Sequence, residues 1–205
     1  MGKQANLEEF RARWTGHVPG IQEMKAQYAV LVPLVERPEG LSLLYEVRAD
    51  TLGRQPGEVC FPGGKMEAGE SPVDCALRET WEELSIPSES VEVVAALDML
   101  THQGGFVMHP ILGIVDPKAA VVPSPAEVKE AFTVPVDWLL AHPPAVYTYD
   151  LVPQVGEDFP YQRVGFPQGY RWRGGKVTVP VYDWPEHPIW GLTGRITRRL
   201  LEDMG

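Results

Sequence analysis

Residues 64–86 read Gly64-Lys65-Met66-Glu67-Ala68-Gly69-Glu70-Ser71-Pro72-Val73-Asp74-Cys75-Ala76-Leu77-Arg78-Glu79-Thr80-Trp81-Glu82-Glu83-Leu84-Ser85-Ile86. Ser71 can cap a helix, Pro72 suits its first turn, and Asp74 three residues after the cap opposes the positive end of the helix dipole. Val73, Ala76, Leu77, Thr80, Trp81 and Leu84 recur at helical spacing and predict the buried stripe, with Pro87 marking the stop. Glu79, Glu82 and Glu83 then fall on the opposite face. Spacings of three and four residues put their side chains about 5–6 Å apart, where like charges weaken a helix by a few tenths of a kcal/mol per pair. They also crowd the last turn, where the dipole disfavours anions. Only Arg78 is near in sequence to offset them. Two readings stand: a solvated acidic face, or hard oxygen ligands for Mg²⁺ or Mn²⁺.

The residues just before this helix bear on that choice. Phe61-Pro62-Gly63-Gly64-Lys65 places two glycines where backbone can approach a ligand closely or adopt positive φ. Further out, Gln27–Glu36 and Leu41–Arg48 read as strands, separated by Arg37-Pro38-Glu39-Gly40. Residues 53–69 form a Gly/Pro-rich loop. Val91–Leu100 and Phe106–Val115 predict strands, Glu127–Phe132 and Val136–His142 short helices, and Tyr147–Val155 and Lys176–Tyr182 late strands. Leu7–Trp14 predicts a helix at one end and Trp190–Met204 an amphipathic helix at the other. Interleaved strands and helices with short connections predict an α/β or α+β sandwich around a mixed sheet.

The chain has 205 residues, a length that favours one domain over 1–205. With 18 basic and 28 acidic residues its net charge is −10, which argues against general nucleic-acid binding. Such a protein can still handle phosphates if it carries divalent cations. Two cysteines, Cys60 and Cys75, are too few for a disulfide framework. The N-terminal stretch through Trp14 is charged rather than apolar, Asn6 replaces the Ser or Thr a myristoylated Gly2 would want, and no apolar run is long enough to span a membrane. The expectation is a soluble, cytoplasmic chain with no membrane and no nucleic-acid partner, and a homodimer on general frequency.

Taken together, Gly64, Glu70, Arg78-Glu79 and Glu82-Glu83 resemble the Nudix box: Gly, five residues, Glu, seven residues, Arg-Glu, an apolar residue, any residue, Glu-Glu, any residue, Gly, an apolar residue. Every charged position matches. Thr80 stands at a usually aliphatic position, and Ser85 replaces the final Gly. The resemblance implies an αβα sandwich around a mixed sheet, with residues 64–86 as its loop–helix–loop, and a hydrolase acting on a nucleoside diphosphate linked to another group with Mg²⁺ or Mn²⁺. It implies Glu79 and Glu83 as metal ligands, Glu82 as a further or water-mediated ligand, and a backbone carbonyl at Gly63 or Gly64 as an additional one. Arg78 is expected to pair with a glutamate and aim it, and Glu70 to support the loop or the outer metal sphere. Two candidates stand for the general base. One is Glu127, in a loop where the family often places a late glutamate, though it also reads as an ordinary helix-start acid; the other is Glu82.

A second stretch, Arg48-Ala49-Asp50-Thr51-Leu52-Gly53-Arg54-Gln55-Pro56-Gly57-Glu58-Val59-Cys60-Phe61-Pro62-Gly63-Gly64, looks like the motif preceding the box in coenzyme A pyrophosphatases. Arg48, Leu52, Gly57, Val59 and Phe61–Gly64 fit it; Ala49, Gly53 and Gln55 depart from it, at positions that often hold Ser, Arg and His. The Ile189–Gly194 tail also resembles that branch, with Trp190 and Thr193 read as a packing anchor and a helix start. Arg48 and Arg54 are candidates for phosphate recognition, since guanidinium suits bidentate binding. The histidines show no ligand spacing, and the aromatic run from Tyr147 to Tyr170 reads as sheet core or dimer contact. The expected activity is hydrolysis of the coenzyme A diphosphate to adenosine 3′,5′-bisphosphate and 4′-phosphopantetheine. The alternatives are a pyrophosphatase for ADP-ribose, nucleotide sugars or dinucleoside polyphosphates, and a non-catalytic nucleotide-sensing module.

Overall fold

Two largely apolar strands organise the molecule, because each must be covered on both faces. These are β1 (Ala26–Arg37) and β2 (Gly40–Arg48), joined by the turn the sequence predicts. The computed structural model describes residues 6–202; Gly2, Lys3 and residues 203–204 of the predicted last helix lie outside the described residues. After β2 come β3 (Val59–Cys60) and β4 (Gly63–Lys65), then helix α2 (Pro72–Leu84), which follows the N-terminal α1 (Leu7–Trp14) in chain order. A single 3₁₀ turn leads to β5 (Val91–Ala96), β6 (Leu100–His102) and β7 (Phe106–Val115). Next are β8 (Val128–Pro135), α3 (Val136–Ala141), β9 (Ala145–Leu151), β10 (Gly175–Val181) and α4 (Gly191–Glu202).

Strands β3, β2, β1, β7 and β5 lie side by side in that order; in addition β4 pairs with β1, β6 with β7 and β8 with β2. The sheet is mixed, since β1 runs parallel to β7 and its other pairings are antiparallel. Alternation along β1 and β2 divides the core in two. Ala29, Leu31, Val35 and Leu44 pack against Cys75, Ala76 and Leu84 of α2. Val30, Val32, Leu43, Tyr45 and Val47 pack against Leu139 of α3 and Ile196, Leu200 and Leu201 of α4. The result is the expected αβα sandwich. Tyr45 and Thr197 share a buried hydrogen bond of 3.0 Å, and Thr193 donates to the Val59 carbonyl at 3.0 Å, so α4 is fastened to the sheet by polar contacts.

Several expectations need correction. Residues 128–135 form a strand rather than a helix: Val128, Phe132 and Val134 belong to a segment that pairs with β2 from Arg48 to Ser42, and that pairing overrides local propensity. The predicted strand 91–100 breaks after Ala96, and the predicted loop 53–69 contains β3 and β4. Trp190 is 47% exposed and so is not the buried packing anchor expected, whereas Thr193 is buried. Tyr147 and Tyr149 are exposed on the β9–β10 pair and form no sheet core, and His109 sits within β7. No helix among the described residues is long and apolar enough to cross a membrane.

Candidate active site

The acidic helix begins as its sequence predicts: the Ser71 hydroxyl accepts the Asp74 N–H at 3.1 Å, and Pro72 is the first helical residue. It ends at Leu84 because Ser85 turns left-handed, at φ 56° and ψ 27°, a conformation that glycine adopts more cheaply. Thr80 is fully buried, and its hydroxyl donates to the Ala76 carbonyl at 2.7 Å, so a polar side chain fills an apolar position without an unpaired group.

The helix faces differ from the expected ones. Trp81, assigned to the buried stripe, is 52% exposed, while Glu83 is 3% exposed and points toward the sheet. The glycine pair explains the difference. Gly63 and Gly64 pair with Val30 and Ala29 of β1, which brings their backbone against α2. The Gly63 N–H donates to Glu83 Oε2 at 2.8 Å. At Gly64 the approach is so close that a Cβ would fall on the Glu79 carboxylate, and at Gly63 (φ 155°) a Cβ would strike the Ala29 carbonyl. Gly63 therefore requires glycine, and at Gly64 any side chain would have to displace the Glu79 carboxylate.

Arg78 gathers the remaining acids. Its Nε donates to Glu70 Oε1 at 2.9 Å and its Nη2 to Glu70 Oε2 at 3.2 Å, a bidentate pair. Its Nη1 lies 2.8 Å from Glu79 Oε1 and 3.2 Å from Glu82 Oε2. Glu70 also accepts the Glu67 N–H at 2.8 Å, and these hydrogen bonds hold its carboxyl down at about 2. Glu82 is half-exposed at the rim.

Burial pushes the carboxyl groups of Glu79 and Glu83 above the ordinary range, and neighbouring acids push them further. The leading charge acting on Glu83 is that of Glu46, and Glu127 acts on both. Glu127 stands exposed immediately before β8, where its backbone carbonyl accepts the Ala49 N–H at 2.8 Å. Arg48 ends β2 opposite Val128, and its charge acts on Glu46 and Cys60. Arg54 is exposed on the loop between β2 and β3 and makes no ion pair among the described residues. The structure thus gathers Glu70, Arg78, Glu79, Glu82, Glu83, Gly63, Gly64, Glu127 and Arg48 at one end of the sheet, while Arg54 stands exposed on the loop after β2.

Sequence reasoning missed Glu46. It is 0% exposed, and its side chain accepts the Cys60 thiol at 3.3 Å. The signal was present: in Leu41–Arg48 a strand covered on both faces should be apolar throughout, and a glutamate in its middle breaks that pattern.

Among the described residues, no three Asp, Glu, His or Cys side chains already converge as a metal coordination set, since Glu79 and Glu82 turn to Arg78 and Glu83 to Gly63. The donor chemistry nevertheless suits a hard divalent cation. Buried carboxylates that repel one another, with one oxygen of Glu46 left without a partner, are relieved by positive charge and oxygen-seeking coordination.

Known proteins place this arrangement. The NUDIX domain model matches residues 25–154. The chain is 41% identical to the mouse peroxisomal coenzyme A diphosphatase NUDT7 over 138 residues, covering 65% of this chain and 56% of that protein. It is 33% identical to the Nudix hydrolase NudL of Photorhabdus laumondii over 204 residues, covering 97% of this chain and 98% of that one. Nudix hydrolase 3 of Caenorhabditis elegans is 39% identical over 139 residues, 66% of this chain and 58% of its own. The chain therefore spans little more than half of the mouse and nematode relatives but nearly all of the bacterial one. With the box residues assembled around α2 and these similarities on record, the chain belongs to the Nudix hydrolase family.

Proposed function

We propose that this hydrolase cleaves the diphosphate of coenzyme A or its derivatives with Mg²⁺ or Mn²⁺, releasing adenosine 3′,5′-bisphosphate and 4′-phosphopantetheine, and that residues 1–205 act as one domain. The observation that carries the reading is the gathering of Glu79, Glu83 and Glu127 beside a glycine pair and Arg78. An acidic cluster so costly to helix and core stability is maintained for the cation it holds. The coenzyme A assignment is supported by the fit of Arg48, Leu52, Gly57, Val59 and Phe61–Gly64 to the pyrophosphatase motif and by the likeness to the mouse diphosphatase.

In this reading Glu79 and Glu83 hold the cation, with Glu82 and a carbonyl of Gly63 or Gly64 as further oxygen donors. The cation supplies charge neutralisation at the diphosphate and lowers the pKa of the attacking water. Arg78 fixes Glu79 from one side while its bidentate grip on Glu70 fixes the loop, so the carboxylate is held before substrate arrives. Glu127, exposed toward solvent and near the buried acids, takes the proton from the attacking water. Arg48 and Arg54 bind phosphate oxygens, the first from the end of β2 and the second from the loop after it. Water adds to one phosphorus, the P–O–P bond breaks, and each product leaves with a terminal phosphate.

Incubation with coenzyme A and Mn²⁺, followed by mass spectrometry, tests this directly. Appearance of both products, with kcat/KM above that for ADP-ribose, nucleotide sugars and dinucleoside polyphosphates, is expected. Turnover of one of those compounds in preference to coenzyme A would reassign the substrate, and no turnover of any would refute the reading.

A further inference from the structure

Glu46 lies outside the box, on a strand rather than on the acidic helix, and its environment makes little sense for a structural residue. Leu43, Tyr45 and Val47 face α3 and α4, while Leu44 packs in the layer against α2. Alternation therefore puts Glu46 on the α2 side, toward Glu79 and Glu83. It pairs in register with Cys60, whose thiol donates to Oε1 at 3.3 Å. Its other oxygen, Oε2, is buried and has no hydrogen-bond partner among the described residues. Two residues on, beside the bulge between Val47 and Arg48, the Nε of Arg48 is buried and unpartnered as well. A buried carboxylate oxygen and a buried guanidinium nitrogen left unpaired each carry a desolvation cost, which a cation and a phosphate oxygen would relieve.

We infer that Glu46 is a ligand of the divalent cation, donating through Oε2 from the sheet side while Glu79 and Glu83 donate from the helix side. This rests on the cation-dependent reading above and adds to it a carboxylate that the box does not supply. The cation would then be held by carboxylates from both α2 and β2. The Cys60 thiol occupies Oε1 and so leaves Oε2 as the free donor. Arg48, on the same strand face, is left to meet a phosphate oxygen beside the cation.

Mn²⁺ titration of the full chain, followed by the electron paramagnetic resonance of free Mn²⁺, tests the assignment without using activity. Glu46→Gln keeps size and shape; it is expected to weaken Mn²⁺ binding at least tenfold, with the metal-free protein folded by circular dichroism. Glu46→Asp keeps the charge but withdraws the oxygen by one methylene, and it is expected to weaken binding too. Binding by Glu46→Gln within twofold of the unmodified chain would overturn the inference. So would Glu46→Asp binding as the unmodified chain does while Glu46→Gln binds weakly, because charge alone would then suffice. If Glu83→Gln also leaves binding unchanged, the cation reading itself falls. If Glu83→Gln weakens binding and Glu46→Gln does not, only the role of Glu46 does.

Discussion

At the residue scale, the site is built from close approaches that tolerate few alternatives. Gly64 touches the Glu79 carboxylate with no room for a methyl group. Gly64→Ala is therefore expected to lower kcat at least a hundredfold by displacing Glu79 while the protein stays folded, read from steady-state kinetics beside a melting curve; near-normal kcat would remove Glu79 from the chemistry. Arg78 holds Glu70 with two nitrogens and Glu79 with a third. Lysine offers a point charge in place of that fork, so Arg78→Lys should cost roughly tenfold or more in kcat with little change in KM. An equal loss in KM alone would mean that Arg78 binds substrate instead. These acids and Arg78 were legible as a spacing of charges, because the box residues lie on one short helix and its loop. Glu83's burial was not, because it depends on how closely β1 and β4 bring backbone to α2, a distance that no local pattern encodes; Glu46 was marked only by a charge inside an otherwise apolar strand, a break that does not say what the side chain faces.

At the element scale, α2 is well started and poorly finished. Its cap at Ser71 and the proline after it fix the first turn, whereas Ser85 takes the left-handed geometry with a side chain that disfavours it. Ser85→Gly is expected to stabilise the protein by about 0.5–1 kcal/mol in urea unfolding without altering kcat; a destabilised variant would show that the Ser85 side chain contributes more than its backbone strain costs. The helices at both ends of the chain and strands β1, β2 and β7 were readable from apolar runs and periodicity. Strand β8 was not, since Glu127–Phe132 carries charged residues at helical spacing and becomes a strand only through pairing with β2. The same pairing brings Glu127 beside Arg48, so the misread element is also the one that completes the candidate site.

At the scale of the whole molecule, the buried acids set how stability depends on pH. Glu46, Glu79 and Glu83 all have carboxyl groups raised from the ordinary 4.5, chiefly by burial. The folded state then holds more protons than the unfolded one, so their favourable contribution is present below about 4.5 and is lost as pH rises through the raised values. Glu70 runs the other way: with its carboxyl held at about 2, its contribution is present above 4.5 and is lost as pH falls toward 2. The metal-free protein should therefore melt at progressively lower temperature from pH 5 to pH 8, by scanning fluorimetry in the presence of a chelator. Glu83→Gln should flatten that decline, and a saturating divalent cation should raise Tm most at the alkaline end, where it neutralises ionised carboxylates. A Tm independent of pH and of cation would mean that these acids do not share a charged site. The most direct measurement is the anomalous scattering of crystals soaked in Mn²⁺. A peak is expected between α2 and β2, within coordination distance of Glu79, Glu83 and Glu46. Well-diffracting soaked crystals with no peak beside those side chains, with or without bound nucleotide, would contradict it.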